Sequence, residues 1–99
     1  MTYNQLTNLT HDQKEKYYKW LLKTAKAAQK IESNTDRIYF VISQYCKKFK
    51  RKGCTYSEIY ELLERSECHQ IKQEMRGETM RNGRYTVEFN AGLDNIYLT

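Results

Sequence analysis

The 99-residue sequence contains no proline, four glycines and three cysteines. Without proline, nothing in the chain forces a helix to kink or end, and the turns must come from glycines and short polar clusters. Three thiols cannot all pair within one chain. No apolar run approaches the ~20 residues that a membrane-spanning helix needs, and residues 1–10 lack the pattern of a signal peptide. We therefore expect one soluble domain, residues 1–99, in the cytoplasm.

Residues with metal-binding or catalytic chemistry are sparse. A zinc site would have to combine Cys46, Cys54, Cys68 and His69, which lack the paired C-x2-C spacing of recognisable zinc sites. The sequence has no Gly-rich phosphate loop, no H-E-x-x-H and no G-x-S-x-G. Adjacent Cys68 and His69 would point about 100° apart on a helix, so adjacency does not make them a nucleophile and its base. We predict a protein without metal, cofactor or enzymatic activity.

Charge is distributed unevenly along the chain. Residues 1–54 hold 12 Lys and Arg against 4 Asp and Glu, whereas residues 55–99 hold 5 against 8. One half is therefore strongly basic and the other acidic. This asymmetry indicates either a basic surface for nucleic acid or anionic lipid, or simply a well-solvated lysine-rich surface.

The first element is a helix from about Asp12 to Ile31. Thr10 with Gln13 three residues later forms a capping-box pattern. An apolar stripe at helical spacing predicts the buried face. It comprises Tyr17, Leu21, Ala25, Ala28 and Ile31.

The opposite face of this helix carries five lysines, which we call the lysine ridge: Lys16, Lys19, Lys23, Lys26 and Lys30. Spacings of 3 and 4 confine them to a sector of roughly 80°. Like charges at these spacings weaken a helix slightly, so the ridge suggests that a polyanion such as a phosphate backbone lies against it. A solvated lysine face is the alternative interpretation.

The second element, Arg37 to Arg51, has apolar residues at helical spacing, and Gly53 is placed to be the left-handed residue after its end. We predict a buried helix from its length and flanking caps, although the run Ile38 to Ile42 taken alone would suit a strand equally well. A set of cations, which we call the basic cluster, follows at the end of this element. These cations would interact favourably with a helix dipole or bind phosphates. The basic cluster comprises Lys47, Lys48, Lys50, Arg51 and Lys52.

Two further helices are predicted. Thr55 and Glu58 form a second capping-box pattern, opening a helix to about Arg65 with an acidic face of Glu58, Glu61 and Glu64. Ser66 can cap another helix, from Glu67 to Arg76, which Gly77 would end. The exposed positions of that helix carry side chains that can hydrogen-bond base edges or phosphates. They are His69, Gln70, Lys72, Gln73 and Arg76.

The remaining residues are predicted to form sheet. Asn82-Gly83 is typical of a two-residue hairpin turn, here between 78–81 and Arg84 to Phe89. Alternation places Tyr85, Val87 and Phe89 on one face. A second turn at Ala91 to Asn95 would lead to a last strand. The fold class is therefore α+β, with three to four helices followed by a small antiparallel hairpin or meander.

From Asp36 to Thr99 the order helix, helix, short turn, helix and hairpin resembles winged helix-turn-helix proteins, in the small format of bacterial and viral transcription regulators. The resemblance implies a non-enzymatic protein that binds double-stranded DNA. It makes Thr55 to Arg65 the positioning helix and Ser66 to Arg76 the recognition helix. The wing would lie at Asn82 and Gly83 or at Ala91 to Asn95. Residues 34–99 would form the winged-helix-like core and residues 1–33 a basic helical extension; a viral protein would act in the host cytoplasm.

Under this hypothesis the lysine ridge and the basic cluster contact phosphates, and Lys72, Arg76, Arg81 and Arg84 are recognition and wing candidates. The glutamates in the two helices that should approach DNA depart from the family's pattern, because phosphates would repel them. The alternative is a protein-interaction module, such as a small viral protein acting on a host factor through Glu58, Glu61 and Glu64. We also expect a homodimer, formed through Tyr18, Trp20 and Leu22 of the first helix.

Overall fold

The computed structural model describes residues 10–90 and 93–99, and their side chains apart from those of 78–82, 89, 90 and 93. Within these residues, four helices and three strands follow one another in the order α1, α2, β1, α3, α4, β2, β3. The helices are α1 (His11–Gln29), α2 (Asn34–Lys48), α3 (Tyr56–Arg65) and α4 (Ile71–Asn82). The strands are β1 (Gly53–Thr55), β2 (Tyr85–Asn90) and β3 (Leu93–Leu98). The predicted α+β class is confirmed.

The first three helices begin as their caps dictate. Thr10 and Gln13 form a complete capping box, and Thr55 and Glu58 form another. Ser33 caps α2, so the segment that suited helix or strand equally is a helix. The predicted bounds are correct to within three residues.

The core lies between these helices and one face of the sheet. α1 contributes Leu21, Ala25 and Ala28, and the other elements supply the rest. α1 packs on α2 and α3, whereas α4 packs on α2 and β2. The fully buried side chains from the other elements include Ile38, Val41, Ile42, Tyr45, Ile59, Leu62, Leu63, Tyr85 and Ile96.

The strands form one antiparallel sheet in the order β1-β3-β2. In its register Gly53 pairs with Tyr97, and Tyr85 pairs with Leu98. Tyr85 is buried and Thr86 exposed, as the alternation predicts. The side chain of Phe89 lies outside the described residues.

Gly53 is not the helix-ending residue that the sequence suggested. It lies in β1, a strand that the sequence analysis did not predict, and the left-handed residue after α2 is Lys50, with φ 53°. A Cβ at Gly53 would lie 2.7 Å from the Ile96 carbonyl oxygen and 2.8 Å from Tyr97 Cδ1. Glycine is needed there because β3 approaches closely.

The predicted boundaries of the fourth helix and the hairpin are wrong. Ser66 ends α3, its Oγ donating to the Leu62 carbonyl at 2.6 Å, and α4 begins only at Ile71. The helix continues past Gly77 to Asn82, so residues 78–81 are helical rather than extended. Gly83, with φ 63°, ends α4 instead of turning a hairpin.

The hairpin in the structure is formed by β2 and β3. Residues 93–95 belong to β3, so the predicted turn from Ala91 to Asn95 is too long. Ala91 and Gly92 lie outside the described residues.

Candidate nucleic-acid interface

The lysine ridge lies on the outer face of α1. All five of its lysines are exposed, whereas Leu21, Thr24, Ala25 and Ala28 are buried. At ~100° per residue the centre of the ridge is about 160° from the centre of the buried stripe. The ridge therefore points away from the core, as predicted.

Little in the structure neutralises these ammonium groups. Among the described residues, Lys19 is the one ridge lysine with a carboxylate within 4 Å, at 3.6 Å from Glu15. Both side chains are more than half exposed. Such exposed pairs contribute at most about 1 kcal/mol. The ridge keeps its positive field toward solvent.

The basic cluster adjoins the lysine ridge through aromatic packing. Phe49, just after α2, lies 5.9 Å from the Trp20 ring and 6.1 Å from the Tyr17 ring, centroid to centroid. Lys48 Nζ lies 5.9 Å from the Trp20 centroid, within range of a cation–π interaction. Helical spacing places Trp20 between Lys16 and Lys23, so Lys48 extends the ridge onto the end of α2.

The contact of Lys48 with Trp20 connects the lysine ridge with the basic cluster, which are separate in the sequence. Lys47, Lys48, Lys50 and Lys52 are all exposed. We call these four lysines together with the lysine ridge the basic surface. The contact of Lys48 with Trp20 was not predicted from the sequence, although Trp20 lies outside the apolar stripe and so required another partner.

Arg51 does not belong to the basic surface. Its Nη1 donates to Glu58 Oε2 at 2.9 Å, and its side chain is two-thirds buried. The planar guanidinium here joins the end of α2 to the first turn of α3. Its predicted phosphate contact is replaced by an internal ion pair.

Glu58 is likewise not part of an exposed acidic face. Its carboxylate accepts hydrogen bonds from Tyr45 Oη, Arg51 and the Thr55 backbone N–H, each at 2.9 Å. Burial alone would raise the pKa of Glu58, but these hydrogen bonds and the Arg51 charge outweigh it and lower the pKa. The capping box already required this orientation, since its carboxylate must turn back toward Thr55. Glu61 and Glu64 are exposed as predicted.

The segment between α3 and α4 has a tightly held backbone. Glu67 and Gln70 both have positive φ, 60° and 48°. His69 N–H donates to Asn34 Oδ1 at 2.8 Å, and Asn34 Nδ2 donates to the His69 carbonyl. Arg37 Nη1 donates to the Glu67 carbonyl at 2.8 Å. Side chains at the start of α2 thus hold the backbone that connects α3 to α4, a role that the sequence did not reveal.

The outward residues of α4 match the sequence prediction in part. Lys72, Gln73 and Arg76 are exposed. Lys72 Nζ lies 3.3 Å from Asp94 Oδ2, so it forms an ion pair with a carboxylate of β3. The same Nζ lies 5.3 Å from the Tyr56 ring centroid. The Arg81 side chain lies outside the described residues.

Arg84 is held by neighbouring side chains at the start of β2. Its Nη2 donates to Asp36 Oδ1 at 3.0 Å, and its guanidinium lies 4.6 Å from the Tyr39 ring centroid. The side chain is less than one-third exposed. These contacts attach the hairpin to the start of α2, so the structure gives Arg84 a positioning role.

All three thiols are buried. Burial raises the pKa of Cys68 to about 11. A hydrogen bond between Cys46 and Cys54 lowers the pKa of Cys46 although that thiol is buried. The same hydrogen bond, together with burial, raises the pKa of Cys54. No group of three His, Cys, Asp or Glu side chains that could hold a metal occurs among the described residues.

Comparison with protein-family models, with curated proteins and with solved structures finds no match for this chain. Within residues 10–90 and 93–99, no helix is long and apolar enough to cross a membrane.

Proposed function

We propose that this protein is a non-enzymatic, double-stranded DNA-binding protein that acts as a small transcription regulator in the cytoplasm. The observation that carries the proposal is the basic surface, nine exposed lysines on α1 and at the end of α2 with Glu15 as their one ion-pair partner among the described residues. Lysines that neutralise phosphates release counterions from DNA, which drives binding without regard to base sequence.

The dimensions of the basic surface suit a duplex. Lys16 and Lys30 lie at the two ends of the ridge, about 21 Å apart at a rise of ~1.5 Å per residue. Double-stranded DNA presents one charge per ~1.7 Å of its axis, so a ridge of this length meets several phosphates. The cation–π contact of Lys48 with Trp20 and the ring contacts of Phe49 with Tyr17 and Trp20 hold the two parts of the surface together.

The topology supports the resemblance to winged helix-turn-helix proteins. From α2 onward the order is helix α2, strand β1, helices α3 and α4 separated by a short segment, and a β-hairpin. The sheet order is β1-β3-β2. In this proposal α4 is the recognition helix, with Lys72, Gln73 and Arg76 toward base edges, and the β2–β3 hairpin is the wing.

Two separate surfaces contribute to DNA binding in this proposal, the basic surface and α4. The lysine ridge faces away from the core on a helix that packs on α2 and α3, whereas α4 packs on α2 and β2. The basic surface supplies affinity through phosphates, and α4 supplies preference among sequences. Separate substitutions can therefore test the two contributions.

The test is a mobility-shift titration of the full chain with two unrelated duplexes at two or more salt concentrations. Affinity should fall with a log-log slope of about −0.9 for each phosphate neutralised. Lys19→Gln with Lys23→Gln should weaken binding to both duplexes equally and make the slope shallower by about 2. Arg76→Gln should instead alter the ratio of affinities for the two duplexes.

The matched control is Lys14→Gln with Arg65→Gln, which removes two exposed cations outside the basic surface and changes net charge equally. This control should retain the wild-type slope. Equal losses in both double variants would attribute binding to net charge alone, and a flat salt response of the wild type would contradict the proposal.

A further inference from the structure

One side of α1 exposes two large apolar side chains. Tyr18 is 45% exposed and Leu22 46%. They lie one helical turn apart beside a shallow groove between α1 and the end of α3. The groove is lined by Leu22, Lys26 and Gln29 from one side and by Glu64, Arg65 and Glu67 from the other. We call Tyr18, Leu22 and this groove the α1–α3 strip.

The two edges of the α1–α3 strip carry opposite charges. Lys19 and Lys26 of the lysine ridge form one edge, and the exposed carboxylates of Glu64 and Glu67 form the other. Arg65 pairs with Glu61 at 3.4 Å. Among the described residues, no cation lies within 4 Å of the Glu64 or Glu67 carboxylate, since neither occurs in an ion pair. The acidic edge therefore has charge to offer a partner.

We infer that a second copy of this chain binds the α1–α3 strip, forming a two-fold dimer in which the two α1 helices run parallel. A two-fold interface uses the same patch on both subunits, so the patch must complement itself. An apolar strip with a basic and an acidic edge meets this requirement in one orientation. Charge complementarity therefore identifies both the partner and its direction.

The direction follows from the symmetry axis. A two-fold axis parallel to α1 exchanges the edges, so the basic edge of one copy faces the acidic edge of the other. An axis perpendicular to α1 within the interface would place like edges together, and like charges facing each other are unfavourable. With the axis parallel to α1 and running along the groove, Leu22 of each copy packs against the groove of the other.

The dimer goes beyond the proposed DNA binding and does not depend on it. Lys16, Lys23 and Lys30 lie on the part of the ridge farther from the strip, so they stay exposed in the dimer. Two ridges would then flank the paired helices. The experiment on oligomeric state uses no DNA, so its result is independent of the DNA-binding result.

The first experiment measures the mass of the full chain by size-exclusion chromatography with light scattering over a range of concentrations. We expect twice the 12.0 kDa of one chain, with dissociation promoted by salt. Leu22→Asp should raise the dissociation constant at least tenfold while the circular dichroism spectrum is unchanged. Tyr97→Asp is the matched control, because Tyr97 is 43% exposed on β3, outside the strip, and should leave the dimer intact.

The second experiment tests direction. Lys26→Glu should weaken the dimer, and adding Glu64→Lys should restore it. A monomer at every concentration, or a Leu22→Asp variant as dimeric as wild type, would overturn the inference. A dimer that Lys26→Glu leaves unchanged, or that adding Glu64→Lys fails to restore, would overturn the parallel arrangement.

Discussion

Arg51 and Glu58 form an ion pair, with 2.9 Å between Nη1 and Oε2, that joins the end of α2 to the first turn of α3. The same carboxylate closes the capping box with Thr55 and accepts a hydrogen bond from Tyr45. One side chain thus holds a helix start, a neighbouring helix and the segment between them. The first turn of α3 is therefore attached to α2 through one ionised carboxylate.

Glu58→Gln should destabilise the protein by about 2–3 kcal/mol at pH 7, the contribution of hydrogen bonds to a charged group. The pKa of Glu58 is lower in the folded protein than its ordinary value of 4.5, so folding favours the ionised form. This stabilisation is complete above the unfolded-state pKa and is lost as pH falls through the folded-state pKa. Thermal melts of both proteins from pH 7 to pH 2.5 should converge in acid. A pH-independent difference would contradict this explanation.

Gly53→Ala should cost about 1–3 kcal/mol, because the added Cβ meets the Ile96 carbonyl, which the β1–β3 pairing holds in place. Gly83→Ala should cost about 1–2 kcal/mol for a different reason, since nothing lies within 4 Å but φ is 63°. Urea denaturation measures both. Gly83→Asn should recover part of the loss, because Asn adopts left-handed φ more readily, whereas no side chain should be tolerated at Gly53.

These two glycines also show how far the sequence predicts the fold. At each glycine the local pattern indicates a structure other than the one found. Gly53 follows a helix and was expected to end it, but lies in β1. Gly83 follows Asn82 and was expected to form a hairpin turn, but ends α4. The short strand β1 has three residues and owes its existence to pairing with β3, far along the chain. Local propensity cannot reveal such a partner. The helices with capping boxes were predicted because their signals lie within one turn.

The candidate site, like the fold, was predicted from the sequence only in part. Periodicity alone placed the lysine ridge on the exposed face of α1, since burial of the opposite stripe decides it. Periodicity could not show that Arg51 and Arg84 are held by internal carboxylates, because Glu58 and Asp36 reach them only in the folded chain. It also could not show that Lys48 meets Trp20.

Asn34→Ala should loosen the segment between α3 and α4, because it removes both hydrogen bonds to the His69 backbone. We expect a loss of about 1–3 kcal/mol and faster amide exchange at residues 66–71, with α1 unaffected. Hydrogen exchange measured by mass spectrometry checks this. Thr35→Ala, at the neighbouring position, should not accelerate exchange there.

Arg84→Ala should lower stability rather than change the salt dependence of DNA binding. The substitution removes the ion pair to Asp36 and the stacking on Tyr39, together about 1–2 kcal/mol. Arg84→Lys should recover the ion pair but not the stacking, because only the guanidinium is planar. Thermal melts and the mobility-shift slope separate the two effects. A shallower slope with unchanged melting temperature would make Arg84 a phosphate contact.

The register that pairs Gly53 with Tyr97 encloses α3 and α4 within one loop of the chain. Closing a loop of roughly forty residues has an entropy cost that only later contacts offset, so β1 should join the sheet late in folding. Once it has joined, the chain from Gly53 to Tyr97, including both helices, forms a closed loop whose two ends are held together by three residue pairs.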